Sequence, residues 1–209
     1  EEGMRTRKVG KGIGDIEHAL HIEKLLSIDG ICLKDVHDSQ ISLPPIYVVG
    51  DSHCLSLAWR KVRYHGKEHV FVPRMIPGLQ INHLRPDSSH RLKSGFYSVL
   101  AGIPPGANVI FLLGWEDCHK GVALAVRRAL HLSMNAALTH TASFYMSLLS
   151  ELAASKKWNV FVHPPPPCRI VCRVFDRMLR GAAFEYPEVQ YLDFYVDMCR
   201  PDGDTMDVL

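Results

Sequence analysis

The chain has 209 residues, enough for one α/β domain of ordinary size and too few for two. Apolar residues make up 47% and charged residues 22% of the sequence, a balance typical of globular proteins. The formal net charge of +2 at pH 7 lacks the basic excess that would imply a nucleic-acid partner. No apolar run reaches the roughly 18 residues that a membrane-spanning helix needs, so no membrane span is predicted.

Residues 1–45 are predicted to form a separate N-terminal part. Residues 1–12 are basic and contain glycine, which is typical of an extended arm. From about 15 to 27, apolar residues recur at helical spacing until Gly30 ends the pattern, and this predicts an amphipathic helix. Such a helix could cover an edge of the domain or dock on another protein. We therefore expect protein partners, if there are any, to bind through residues 1–27.

Residues 46–209 are predicted to form one α/β domain built on five parallel strands. Short apolar runs, as expected for strands covered on both faces, lie at 46–49, 69–72, 109–113, 159–162 and 189–192. Helical patterns lie between them, at about 53–63, 93–101, 120–155 and 169–183. Strands that alternate with helices predict right-handed βαβ units. The expected fold is a three-layer α/β/α sandwich with the flavodoxin-like strand order 2-1-3-4-5.

The six cysteines do not show the paired spacing of a secreted disulfide framework. We therefore expect reduced thiols, which favours an intracellular or organellar location. Cys168 and Cys172 are four residues apart, whereas structural zinc sites usually combine two pairs with a two-residue gap. No metal site is predicted, and no motif in the sequence implies a cofactor.

Glycines and polar residues follow the predicted strands, at the edge where open parallel sheets form their sites. The first strand runs into GDSH (50–53) and then directly into a helix. Gly78 follows the second strand, and GWED (114–117) follows the third. His163 comes directly after the fourth strand. Because the carboxyl ends of parallel strands share one edge of the sheet, these groups are expected to lie near one another.

This ordered set resembles the SGNH/GDSL hydrolase superfamily, and its GDSH form resembles a divergent group of eukaryotic SGNH-like proteins. The resemblance covers about 46–200 and is carried by VVGDSH (48–53), the glycine of PGL (77–79) and LGWED (113–117). It implies hydrolysis of an acyl-ester small molecule, with Ser52 as the nucleophile activated by a histidine. The implied oxyanion donors are the backbone N–H groups of Ser52 and Gly78, together with a side chain of the third block.

Two departures from the family pattern bear on activity. The family's third block is G-x-N-D, but Glu116 occupies the asparagine position. An ionised carboxylate there would repel an oxyanion by about 4 kcal/mol at about 4 Å and an effective dielectric near 20. The family's D-x-x-H block should follow the fifth strand, but no histidine follows His163 and residues 204–207 read DTMD.

These departures leave several functions open. His163 has two interpretations: a substitute for the missing catalytic base, or a buried histidine bonded to a loop carbonyl. The alternative to a serine ester hydrolase is an inactive SGNH-fold subunit that has a structural or interaction role in a larger assembly. A module that binds a carbohydrate or acyl ligand in the same pocket is a third interpretation.

Each residue of the predicted site also has a structural interpretation. Ser52 could cap the helix that follows it, or Asp51 could fill that role. His53 adjoins Ser52 and is interpreted as packing or backbone bonding at the helix start rather than as a base. Asp117 is expected to bond N–H groups of nearby loops, while Gly114 is expected in the pocket.

Overall fold

The structure is a computed structural model that describes most of the chain after residue 42. The described residues are 43–121, 133–167 and 170–199. The chain divides into two units, Glu1–Ser42 and Leu43–Leu209, and all described residues belong to the second. Three features predicted from the sequence lie outside the described residues: the arm and helix within 1–27, the Cys168 thiol, and the DTMD stretch at 204–207. Within the described part, no helix has the length and apolar character needed to cross a membrane.

Within the described residues, six strands form one mostly parallel sheet in a mixed α/β fold. They are β1 (Pro45–Gly50), β2 (Lys61–Tyr64), β3 (Lys67–Met75), β4 (Asn108–Leu112), β5 (Asn159–Val162) and β6 (Val189–Tyr191). Their order is β2-β3-β1-β4-β5-β6, and β2 pairs antiparallel with β3 while the other pairs are parallel. The five expected strands are therefore present in the expected order. The prediction of a five-stranded, fully parallel sheet is wrong, because the sheet also contains the antiparallel strand β2.

The additional strand is β2, which takes the place of part of a predicted helix. A helix over 53–63 was expected, but a short 3-10 helix covers Ser52–Leu57 and β2 follows it. The KVRY sequence of β2 alternates basic residues with β-branched and aromatic ones, a period-two pattern that suits a half-buried strand. His65 and Gly66 then form a two-residue turn into β3 with φ angles of 48° and 76°. Positive φ at both positions is typical of the turns that close β-hairpins.

Three helices of the described residues pack on one face of the sheet. They are α1 (Arg91–Ala101), α2 (Met134–Lys156) and α3 (Ile170–Ala183). These helices agree with the patterns at 93–101 and 169–183 and with the described part of 120–155. Phe96, Tyr145 and Phe175, one from each helix, are fully buried in the same apolar cluster as strand residues such as Phe111. This cluster is the main core of the domain.

The opposite face carries a smaller apolar cluster, and the β2–β3 hairpin curls over it. Val48, Leu112 and Phe161 are buried there together with Cys54 of the 3-10 helix. The ring of Tyr64 on β2 meets the ring of Phe161 on β5 edge-on at 5.8 Å, although three strands lie between β2 and β5 in the sheet. The described residues therefore do not confirm the third, helical layer of an α/β/α sandwich.

The central position of β1 brings three segments of the chain to one edge of the sheet. β1 lies between β3 and β4, and its last residue, Gly50, is in register with Met75 and Leu112. Because these strand pairs are parallel, the segments that follow the three strands leave the sheet on the same side. GDSH begins with Gly50 at the end of β1, and PGL and GWED are the first glycine-containing segments beyond β3 and β4.

The close contact between β1 and β4 predicts the effect of a single methyl group. A Cβ on Gly50 would lie 2.1 Å from the carbonyl oxygen of Leu112. We expect Gly50→Ala to push the two strands apart and lower the free energy of unfolding by about 3 kcal/mol. Gly95→Ala on α1 is the control, because nothing lies within 4 Å of its new Cβ and alanine favours helix by about 1 kcal/mol. Urea denaturation measures the free energy of unfolding of both variants. A Gly50→Ala variant as stable as the wild type would contradict this packing.

Candidate functional site

Asp51 caps the 3-10 helix that begins at Ser52. Its Oδ1 accepts the main-chain N–H of His53 at 2.9 Å, and the Asp51 residue is 1% exposed. Asp51 therefore fills the capping role that the sequence left open between two residues. The hydroxyl of Ser52, which is half-buried, makes no hydrogen bond to any residue that the structure describes.

The same carboxylate oxygen also binds the ring of His53. Nδ1 of His53 lies 2.8 Å from Asp51 Oδ1. The ring packs against Trp115 with the ring centroids 4.8 Å apart, and Trp115 stacks in turn on His119. The expectation that His53 packs at the helix start is correct, but it missed the bond between the ring and the carboxylate. The signal for this bond was an aspartate two residues before a histidine at a helix start.

Gly78 lies in a tight turn that follows β3. The turn spans 76–79 and is closed by a hydrogen bond of 3.1 Å from its last N–H to its first carbonyl. Pro77 and Gly78 occupy the two central positions, and the φ of Gly78 is 70°. This combination is typical of a type II turn, in which the third residue needs a positive φ. The N–H of Gly78 donates to no residue within the described ranges. Ser52 and Gly78 thus follow neighbouring parallel strands.

Asp117 connects the third block to the loop that follows β3. Its carboxylate accepts the main-chain N–H groups of Ile81 at 2.8 Å and Asn82 at 3.2 Å, and also the side-chain amide of Asn82 at 3.0 Å. These bonds confirm that Asp117 binds N–H groups of a loop. Burial raises the pKa of Asp117 to about 6 against the opposing effect of the N–H donors, and the charge of Asp51 raises it further.

Gly114, expected in the pocket, lies against α3, and Glu116, which replaces the expected amide donor, forms an ion pair. A Cβ on Gly114 would lie 2.6 Å from the ring of Phe175, and the φ of Gly114 is 114°, so this glycine permits close packing of α3. Oε2 of Glu116 lies 3.4 Å from Nζ of Lys120, one helical turn further on. This ion pair offsets part of the negative charge of Glu116.

His163 is buried beyond the end of β5, with β4 between it and the β1 segment. Its Nδ1 lies 2.6 Å from the carbonyl oxygen of Pro164, and its ring meets Phe194 edge-on. Burial lowers the pKa of His163, the Pro164 carbonyl opposes this shift, and the charge of His53 lowers the pKa further. His163 is therefore a buried histidine bonded to a loop carbonyl. No hydrogen bond among the described residues joins it to Ser52.

Tyr145 is a member of this polar region that sequence reasoning missed. It lies in the middle of α2, and its hydroxyl is buried without a hydrogen-bond partner in the described part of the chain. Burial raises the pKa of Tyr145 well above its usual value, and the charges of Asp117 and Asp51 act in the same direction. Its sequence neighbours gave no signal, because a tyrosine on the apolar face of a helix looks like a core residue.

The described residues contain no group of three or more His, Cys, Asp or Glu side chains that could hold a metal ion. No protein-family model matches the chain, and a search of curated proteins finds no match either. The resemblance to the SGNH/GDSL superfamily therefore depends on the motifs and on where the fold places them.

The raised pKa of Asp117 predicts a specific dependence of stability on pH. Its ordinary pKa is 3.8 and its folded pKa is about 6, so the folded chain binds more protons than the unfolded chain between these values. The free energy of unfolding should therefore fall by up to about 3 kcal/mol as the pH rises through this window. Asp117→Asn should remove this component. Urea denaturation across the window measures the difference between the two proteins, and parallel profiles would contradict the prediction.

Proposed function

We propose that this domain is an SGNH-like serine ester hydrolase in which Ser52 is the nucleophile. The observation that carries the proposal is that Asp51, and not Ser52, caps the helix at the end of β1. A serine at a helix start with a purely structural role would be expected to bond the free N–H groups there. The hydroxyl of Ser52 is left without such a bond, at the sheet edge where open α/β folds bind their ligands.

Main-chain N–H groups supply the oxyanion site in this proposal. Ser52 is the first residue of its helix, so its N–H has no acceptor within that helix. The N–H of Gly78 lies in the turn after the neighbouring strand, and the bonds from Asp117 to Ile81 and Asn82 fix the loop that follows this turn. Each well-placed donor stabilises a tetrahedral intermediate by about 3 kcal/mol. The chemistry requires no cofactor.

The finer fold assignment, a flavodoxin-like sandwich of the SGNH-hydrolase type, is part of the same proposal. It is supported by the order β3-β1-β4-β5-β6 of the five parallel strands. It is also supported by the position of GDSH, PGL and GWED after three adjacent strands, β1, β3 and β4. The substrate class that fits is a small molecule with an acyl ester.

The alternative is an inactive SGNH-fold domain that serves as an interaction subunit, with residues 1–27 as its partner-binding part. One observation favours it: Glu116 replaces the expected amide donor and pairs with Lys120. A carboxylate held in an ion pair has no hydrogen to donate to an oxyanion. This leaves two donors for the oxyanion instead of three.

A fluorophosphonate probe distinguishes the two functions. The probe reacts covalently with activated serines, so we expect it to label the full chain at Ser52 and to leave Ser52→Ala unlabelled. Ser94→Ala is the matched control, because Ser94 is an exposed residue of α1 whose hydroxyl bonds the carbonyl of Arg91. Mass spectrometry of the digested protein identifies the labelled residue. A folded wild-type chain that takes up no probe would overturn the hydrolase proposal in favour of the interaction subunit.

A further inference from the structure

The hydrogen-bond pattern around Asp51 determines which nitrogen of His53 carries the hydrogen. Oδ1 of Asp51 already accepts the main-chain N–H of His53, so this oxygen acts as an acceptor. Nδ1 lies 2.8 Å from the same oxygen and must therefore be the donor. In the neutral ring, Nε2 then has a free lone pair. The geometry thus assigns His53 the tautomer that a general base needs.

The free nitrogen of His53 can be reached by a proton donor. Nε2 makes no hydrogen bond to a described residue, and 18% of the His53 side chain is exposed. Asp51 on one side and Trp115 on the other restrict the orientation of the ring. A carboxylate bonded to Nδ1 also stabilises the imidazolium that forms when Nε2 takes up a proton.

His163 is the other histidine of this region, and its surroundings suit a base less well. Its Nδ1 is bonded to the carbonyl of Pro164, which is a neutral partner and stabilises an imidazolium less than a carboxylate does. It is 7% exposed, so protonation would place a charge in a buried position. His53 is instead the residue next to Ser52 and has an aspartate as its ring partner.

We propose that His53, oriented by Asp51, is the general base for Ser52. This inference rests on the proposed hydrolase function and deepens it, and it departs from the expectation from sequence that His53 is not a base. The structure shows no direct bond between Ser52 Oγ and His53 Nε2, so the proposed proton transfer requires either a bridging water or rotation of the serine side chain. In this scheme the reaction needs no histidine after His163.

With an ester substrate, the proposed reaction has two stages, acylation of Ser52 and hydrolysis of the acyl-serine. The Ser52 proton moves to Nε2 of His53 while Oγ attacks the carbonyl carbon, and the π electron pair moves onto the carbonyl oxygen. When that pair returns, the bond to the alcohol oxygen breaks, and the alcohol leaves with the proton from Nε2. A water molecule then attacks the acyl-serine by the same route, which releases the carboxylic acid and restores Ser52.

The rate of fluorophosphonate labelling of the full chain tests this role. His53→Asn retains an N–H donor for Asp51 but has no basic nitrogen, so the fold should survive while labelling slows by about 100-fold or more. Labelling of His53→Ala should slow to a similar extent, and added imidazole should restore part of its labelling rate. His65→Asn is the matched control, because His65 is an exposed turn residue with a positive φ that asparagine also adopts. The probe should label His65→Asn at the wild-type rate.

The outcomes separate this inference from the function on which it rests. A wild-type chain labelled at Ser52 whose rate is unchanged in His53→Asn would overturn the role of His53 and leave the hydrolase standing. The same conclusion would follow if imidazole failed to restore His53→Ala, or if His163→Asn caused the loss instead. A wild-type chain that takes up no probe would overturn both.

Discussion

Burial of a carboxylate is costly unless its oxygens are hydrogen-bonded, and the side-chain hydrogen bonds of Asp51 within the described residues all come from His53, while its Oδ2 is buried there without a partner. One of its oxygens accepts both the main-chain N–H and the ring Nδ1 of His53. Three features of the site follow from this arrangement. The helix is capped without the help of Ser52, and neither the hydroxyl of Ser52 nor Nε2 of His53 bonds any residue that the structure describes.

The sheet supplies the rest of the geometry and places two acidic residues in the interior. Because β1 lies between β3 and β4, the segments with Ser52, Gly78 and Asp117 all leave the sheet at one edge. Asp117 then binds the loop beyond Gly78, and the charge of Asp51 contributes to its raised pKa. Two acidic groups that interact in the interior lower stability, and such a cost is common where a fold positions reactive groups.

The sequence predicted the parts of the fold that depend on local patterns. Apolar runs predicted five strands, and the alternation of strands with helices predicted their order. KVRY lies within the region of about 53–63 that was expected to be helical, because an alternation of only four residues is a weak strand signal. The edge location of Ser52 and Gly78 was predictable because parallel strands share a direction. The position of the ring of His53 was not predictable, because the orientation of the ring depends on a side-chain torsion and on a buried partner. Tyr145 reaches this region from the middle of α2, which no local pattern reveals.

The proposed roles of Ser52 and His53 depend most directly on which ring nitrogen of His53 carries the hydrogen. NMR of isotope-labelled histidine rings at mildly alkaline pH measures this, with Asp51→Ala as the comparison. We predict that in the wild type the hydrogen lies on Nδ1, in a strong hydrogen bond, and that Nε2 is unprotonated; in Asp51→Ala this preference should disappear. A wild-type ring with its hydrogen on Nε2 would contradict the account, because neither the bond to Asp51 nor a free base for Ser52 would then exist.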